Sequence, residues 1–362
     1  AVTVFFPKFF AASLANLFAL TACVQAVTYF ISAATFKKDG VELWKRRLFF
    51  GVVSAVFAAL FFSKTAAAAF TISKVSGVYL IVTGVNLMGD FFSEFMDTDY
   101  ARDRIKPRTY LPVPILISAF IPRRVLNFIN KNISDNDKIS PKDEEYVPTG
   151  NPRLEVYIHI GNDPIGKFGH MDMSFDDTVY SYGCYDTSSN KLWGFISDGT
   201  LAVCPRKPYL DQSINLENKT LIGFGIDVSD KEADEIYKKL NFLKKVPIEW
   251  KPLSVTDSEN AEKYGDPASV LQRNTGAVFY KFRSGPFKTY FALGSNCVLL
   301  AHRIIGAAGA GILRVGGLVT PGTYFAYLDR RYKLKNNFVV SKTIYKSGGK
   351  DETSIDSGRL PK

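Results

Sequence analysis

The sequence predicts an α+β protein in which a helical membrane domain precedes an antiparallel sheet packed on helices. Charge placement is the first reason. The chain is 46% hydrophobic and 14% aromatic with a formal net charge of +10, yet residues 1–36 carry one charge, Lys8, and residues 48–89 carry only Lys64 and Lys74, whereas acidic residues concentrate beyond Phe91. The second reason is periodicity. Beyond residue 150 short alternating runs bounded by turn residues follow one another, interrupted by helical spacing. A chain of 362 residues exceeds the usual single-domain range, so two units are expected. Their expected bounds are 1–97 for a transmembrane helical region of two or three spans, 98–150 for an interfacial segment and linker, 151–335 for the second domain and 336–362 for a tail.

The first apolar stretch, from about Phe9 to Phe36, exceeds the roughly 20 residues that cross a hydrocarbon core. It is too long for the apolar region of a cleaved signal peptide, about 7–15 residues, and is expected to stay. The basic loop KKDGVELWKRR leads into Leu48–Ser63, then AAAAFTIS and Val75–Met88. Two or three spans follow, and a multi-pass membrane protein is the expectation. Basic loops favour the cytoplasmic side, so the 37–47 loop should face inward. With a hairpin through Lys64–Lys74 the second domain lies in the cytoplasm; with one span fewer it lies outside.

In the junction, ILISAFIPRRVLNFI is too short to span and suits the interface plane, and NKNISDNDKISPKDEEYVPTGNP reads as an exposed linker. Three strands are then expected: LEVYIHIG, HMDMSFDD and TVYSYG, the last two joined by a tight turn at Asp176-Asp177. LAVC is a further short strand, and LIGFGIDV leads to Ser229, an N-cap for DKEADEIYKKLNFLKK, whose Ala233, Ile236, Leu240 and Leu243 recur at helical spacing. GAVFYKFR and KTYFAL are expected to pair as a hairpin around Ser284-Gly285-Pro286. GAAGAG reads as a break, Thr320 followed by Pro321 as a helix start, and SGGKDETSIDSGRLPK as partly disordered.

The stretch that carries chemistry is YFALGSNCVLLAHRII, residues 290–305. It reads as a strand ending at Gly294 and a helix opening at Cys297, capped by Ser295 or Asn296. A helix N-terminus favours a thiolate over a thiol, so Cys297 is a candidate nucleophile that needs a base. The chain holds three histidines. His302 sits five residues along the same helix and points away from the sulfur. His159 lies in a strand pattern as an ordinary sheet residue. His170 opens a strand after the Gly-rich GNDPIGKFG, a position from which an imidazole can lean over a helix end.

A Gly-His pair opening a hairpin (GHMDMSFDDTVYSYG), followed more than a hundred residues later by Asn-Cys opening a helix (LGSNCVLLAHRI), resembles the circularly permuted NlpC/P60 branch of the papain-like superfamily. That branch includes lecithin:retinol acyltransferase-like and YiiX/YebB-type proteins. The likeness covers about Leu154 to Tyr327, including TPGTYFAYL after the cysteine helix. It implies a permuted papain-like domain and a thiol hydrolase or acyltransferase, with Cys297 as nucleophile and His170 as base. A third group should orient the imidazole. Ser181 falls diagonally across the hairpin on the same face, Asp172 is two residues along, and Tyr182 is close. Related families often place a second histidine or an acid there, so this member is left open.

Cys184 and Cys204 flank a turn-rich stretch without CxxC spacing, and with so few histidines neither a metal nor a cofactor is expected. Cys23 reads as a small apolar filler. The basic residues are dispersed and flank the apolar segments, which fits anionic lipid better than nucleic acid, and GAAGAGILRVGG lacks the phosphate-loop Lys-Ser/Thr. Membrane lipid and an acyl-bearing lipid or lipoprotein are the expected partners, with oligomeric state open. The competing functions are a cell-wall peptide amidase or endopeptidase, and a non-catalytic membrane scaffold or pore former.

Overall fold

The computed structural model describes residues 7–62, 74–85, 88, 152–160, 170–245, 247–292, 296–305, 321–333, 338–346 and 358–359. The chain forms two compact units, a helical one and a sheet-bearing one. The protein is α+β, as its patterning predicts, with an N-terminal helical region and an antiparallel sheet packed with helices. The expected junction at 98–150 lies outside the described residues, as do GNDPIGKFG, Gly294, GAAGAG and Thr320.

In the helical unit, α1 (Pro7–Lys38) packs on α2 (Trp44–Phe62), and α3 (Lys74–Val85) joins them. Small residues make the close approach possible. Ala15, Ala19, Ala22, Ala26 and Ala33 are buried along one stripe of α1, and the Phe30 ring covers Gly51, where an added Cβ would stand 3.0 Å from it. Such stripes let helix backbones pack tightly where lipid rather than water surrounds them. Tyr79 donates to Gln25 at 2.7 Å across the helices. The outward surface carries large apolar side chains, Leu17, Phe49, Val56 and Ile81 all being exposed.

One helix among the described residues, Ala15–Lys38, is long and apolar enough to cross a membrane. The expectation of two or three spans is not supported. The basic Lys45, Arg46 and Arg47 occupy the start of α2, leaving Leu48–Phe62 at about 22 Å, and α3 reaches about 18 Å, against about 30 Å of hydrocarbon.

The second unit is built on a nine-stranded antiparallel sheet among the described residues. Its strands are β1 (Leu154–Ile160), β2 (His170–Phe175), β3 (Thr178–Gly183), β5 (Thr200–Pro205), β6 (Thr220–Ile226), β7 (Ile248–Trp250), β8 (Val278–Lys281), β10 (Val339–Tyr345) and β11 (Gly358–Arg359), in the order β11-β10-β6-β1-β2-β3-β5-β8-β7. A separate ribbon pairs β4 (Ile196–Asp198) with β9 (Thr289–Phe291). The tight turn between β2 and β3 forms at Asp176-Asp177, where Asp176 takes φ 51° and its carboxylate holds Arg153 at 2.8 Å.

Period-two alternation assigns the two faces. Leu154, Val156, Ile158, Met171 and Met173 face a core closed by α5 (Asp230–Lys245), α7 (Cys297–Ile305) and α8 (Pro321–Tyr332). Tyr157, Val179 and Leu221 face α4 (Arg206–Asp211), its π-helical continuation Gln212–Leu216, and α6 (Pro267–Thr275). α5 starts with a reciprocal cap: Ser229 N–H and hydroxyl both reach the Glu232 carboxylate, at 3.0 and 2.7 Å. Ala233, Ile236 and Leu240 are its buried stripe.

Two expectations are corrected. β8 and β9 do not form a hairpin, because both edges of β8 are taken by β5 and β7, while β9 leaves to pair with β4. Phe282 and Phe287, between them, are buried against Tyr182 instead. The boundary at 335 is also too early. Val339–Tyr345 is a full strand on β6, with Val339, Val340, Ile344 and Tyr345 buried, so the expected tail of 336–362 begins inside the sheet.

The second face also holds a buried ion pair. Arg206 reaches Glu155 at 2.6 Å and Tyr157 at 2.7 Å, and Tyr345 donates to Glu155 at 2.9 Å, tying β1, α4 and β10 together. Gly223 on β6 leaves the space that the Glu155 carboxylate fills. Removing one partner of a buried pair strands the other. Arg206→Ala should therefore destabilise the chain by about 3 kcal/mol, near the lower end of such losses because the guanidinium is 35% exposed. Urea unfolding of the full chain, compared with the wild type, measures it.

Candidate active site

The site gathers at the start of β2. Asn296 caps α7: its Oδ1 accepts from the Leu299 N–H at 3.1 Å, its carbonyl accepts from Leu300, and its side-chain amide donates to the Ala292 carbonyl at 2.9 Å. Of the two caps expected, Asn296 is the one the described residues show. The cap holds Cys297 at the first position of a helix packed on β2 and β3. Cys297 is 3% exposed.

His170 is the first residue of β2, and its imidazole is 29% exposed. Burial pushes this imidazole down, but the Asp172 carboxylate and the Cys297 sulfur, by charge and hydrogen bonding, carry it well above the ordinary histidine value. Sulfur and imidazole are therefore direct neighbours although 127 positions separate them in the chain. His170 Nε2 lies 2.8 Å from Asp172 Oδ1 and 3.2 Å from the Ser181 hydroxyl. Ser181 is in turn 2.6 Å from the Tyr185 hydroxyl.

The expected site residues Cys297, His170, Asp172 and Ser181 thus come together. Tyr182 does not touch Asp172: its side chain lies on the opposite face of the sheet, the one that carries Cys297, donates to the Phe287 carbonyl at 2.8 Å and packs on Tyr290 with ring centroids 5.6 Å apart. His302 is buried on α7. Three residues that sequence reasoning passed over do belong here. His159, read as an ordinary sheet residue, places Nε2 2.7 Å from Asp172 Oδ2, in the register His159↔His170. Tyr209, on α4, donates to the same carboxylate oxygen. Tyr290, on β9, is raised well above the usual phenol value by burial first and then by the charge and hydrogen bond of Cys297. Period two from Asp172 would have placed His159 on the same face, had the β1–β2 register been known. No local pattern points to Tyr209 or Tyr290.

Asp172 is 1% exposed. Burial raises its carboxyl, but the charges and hydrogen bonds of His170 and His159 outweigh that and hold it well below the ordinary value. His159 moves the other way from His170. Burial is the larger effect there and lowers it below 6.5, with Asp172 opposing. One carboxylate thus lies between two imidazoles shifted in opposite directions, His170 upward and His159 downward.

Cys184 and Cys204 are free thiols that burial pushes up to about 11 and about 12, and Cys23 is free as well. No His/Cys/Asp/Glu cluster among the described residues could hold a metal ion. No protein-family model, curated protein or solved structure matches the chain.

These shifts have opposite signs in stability. His170, raised, contributes fully below about pH 6.5 and loses its contribution as pH rises through its folded value. His159, lowered, costs stability as pH falls below 6.5, because the unfolded chain then binds a proton that the folded one refuses. His159→Gln should therefore make the slope of unfolding free energy against pH less positive below about pH 6.5, by up to about one proton. His170→Gln should make the slope more positive from about pH 6.5 upward, toward the raised folded value, and leave it little changed below that. Denaturant unfolding across a pH series reads both. Separately, Tyr209→Phe removes a donor to a buried carboxylate and should cost about 2 kcal/mol in the same assay.

Proposed function

We propose that this chain is a membrane-anchored thiol hydrolase or acyltransferase that works through an acyl-cysteine intermediate, on the acyl group of a lipid or lipoprotein. The observation that carries the reading is the meeting of Cys297 at a helix start with His170 at a strand start, His170 being held by a buried carboxylate. The order of the two in the chain, with histidine first, suits a permuted papain-like arrangement. Ala15–Lys38 is the anchor, and the outward apolar surface of the helical unit supports its placement in lipid.

In the proposed reaction, His170 Nδ1 takes the Cys297 proton and the sulfur attacks the acyl carbonyl carbon. The carbonyl π electrons move to oxygen, where two kinds of donor are available. One is the backbone N–H of Cys297 and Val298 in the first turn of α7, for which no acceptor is seen among the described residues; the other is the Tyr290 hydroxyl. Collapse expels the alcohol, which takes its proton from His170. Water or a second alcohol then gives a proton back to His170 and attacks the thioester, releasing acid or transferred ester and the free thiol. Asp172 keeps Nε2 protonated and the ring aimed, and Ser181 steadies the same nitrogen.

Incubation of the purified chain with a reporter acyl ester should leave an acyl mass adduct on Cys297, absent in Cys297→Ala. His170→Gln should slow turnover by roughly 100- to 10,000-fold. Equal turnover by wild type and Cys297→Ala would remove the reading.

A further inference from the structure

Between β3 and β4 the chain makes a small loop that solvates what a folded protein ordinarily buries. Trp193 is 87% exposed and Leu192 55% exposed. Neither is there by slackness. Lys191 and Ile196 pair as an antiparallel bridge, with Lys191 N–H donating to Ile196 at 2.7 Å and Ile196 N–H returning at 3.2 Å, so only four residues close the end. Three consecutive residues, Leu192 (φ 48°), Trp193 (φ 56°) and Gly194 (φ 86°), occupy the left-handed region. Glycine adopts it freely, but leucine and tryptophan do so at a cost, and such strain persists only where the surroundings over-determine it. Here the strained backbone turns two large apolar side chains outward.

The loop is tied to the catalytic helix by short links. The Cys184 thiol donates to the Gly194 carbonyl at 3.1 Å. The Phe195 carbonyl accepts from the Ala292 N–H at 2.9 Å, and the Ala292 carbonyl accepts from Asn296, the cap of the Cys297 helix. Whatever seats Trp193 therefore positions the mouth of the site.

We propose that Leu192-Trp193 is a lipid-docking tip that seats the cysteine site on the bilayer interface, where an acyl ester can be reached. The proposal deepens the function above and rests on it for the nature of the substrate. The occupant follows from the chemistry of the loop. Tryptophan is the side chain best suited to the headgroup boundary, apolar over its body and polar at its N–H. Lys191, exposed beside it, complements anionic headgroups, and the same chain carries a helix long enough to enter the bilayer.

The test uses the full chain in phosphatidylcholine–phosphatidylglycerol vesicles, with Trp44→Phe and Trp250→Phe leaving Trp193 as the sole tryptophan. Lipids brominated near the headgroup should remove about half of its emission, and aqueous iodide should have little effect. Full quenching by iodide without quenching by brominated lipid would overturn the proposal and point to a protein partner for the tip. Should that variant fail to fold, 5-fluorotryptophan in the otherwise wild-type chain gives a second reading. The resonance missing from Trp193→Phe should broaden with a lipid-borne spin label; broadening only with a water-soluble gadolinium chelate would overturn it. Adduct formation on Cys297 from a short, soluble acyl thioester reports the chemistry independently, so loss of docking and loss of the catalytic reading are distinguishable.

Discussion

The buried carboxylate of Asp172 is the constraint on which the site depends. An ionised carboxylate removed from water carries a desolvation cost of several kcal/mol unless donors replace the solvent. Here His170 from its own strand, His159 from β1 and Tyr209 from α4 supply them. The pairing register of β1 on β2 and the seating of α4 are thus tied to the ionisation of one side chain. The charge raises His170 toward its protonated form, while at His159 burial outweighs the same charge and lowers the imidazole.

The sheet separates two kinds of work. One face is aliphatic and aromatic and packs against α5, α7 and α8, which fixes where the cysteine helix lies. The other face holds polar groups in two networks, Asp172 with its histidines and Glu155 with Arg206, each beside α4. His170 stands at the boundary because it begins its strand. From the strand start its ring belongs to the polar face and still meets a sulfur carried by a helix on the apolar face.

In the helical unit alanines, Ser54 and Thr28 are buried together with Phe57, Phe61 and Tyr79, while Leu17, Phe49, Val56 and Ile81 stay exposed. Water around the helices would favour burying those exposed side chains as well, since their apolar surface would gain by it. A lipid surround imposes no such gain and rewards close backbone packing instead. The proposed docking tip on the second unit follows the same logic, presenting an aromatic ring where a hydrocarbon boundary can receive it.

Much of the architecture was legible in the residues alone, because it is local. Alternation in LEVYIHI, HMDMSF and TVYSYG, the turn at Asp176-Asp177, the Ser229 cap and the asparagine before Cys297 act within a few positions, where steric and hydrogen-bonding preferences speak directly. That locality also delivered Cys297, His170, Ser181 and Asp172 as site residues. What required the tertiary structure is long-range. Whether β8 pairs with β9 depends on competition from β5 and β7, and whether 339–345 is a strand depends on β6 having a free edge. His159, Tyr209 and Tyr290 join the site only through strand register and helix docking, and among the described residues the length and composition of one helix, Ala15–Lys38, suffice to cross a membrane. Sequence determines what each segment can be; the partner that each polar group finds, and hence its charge, is settled only when distant segments exclude water together.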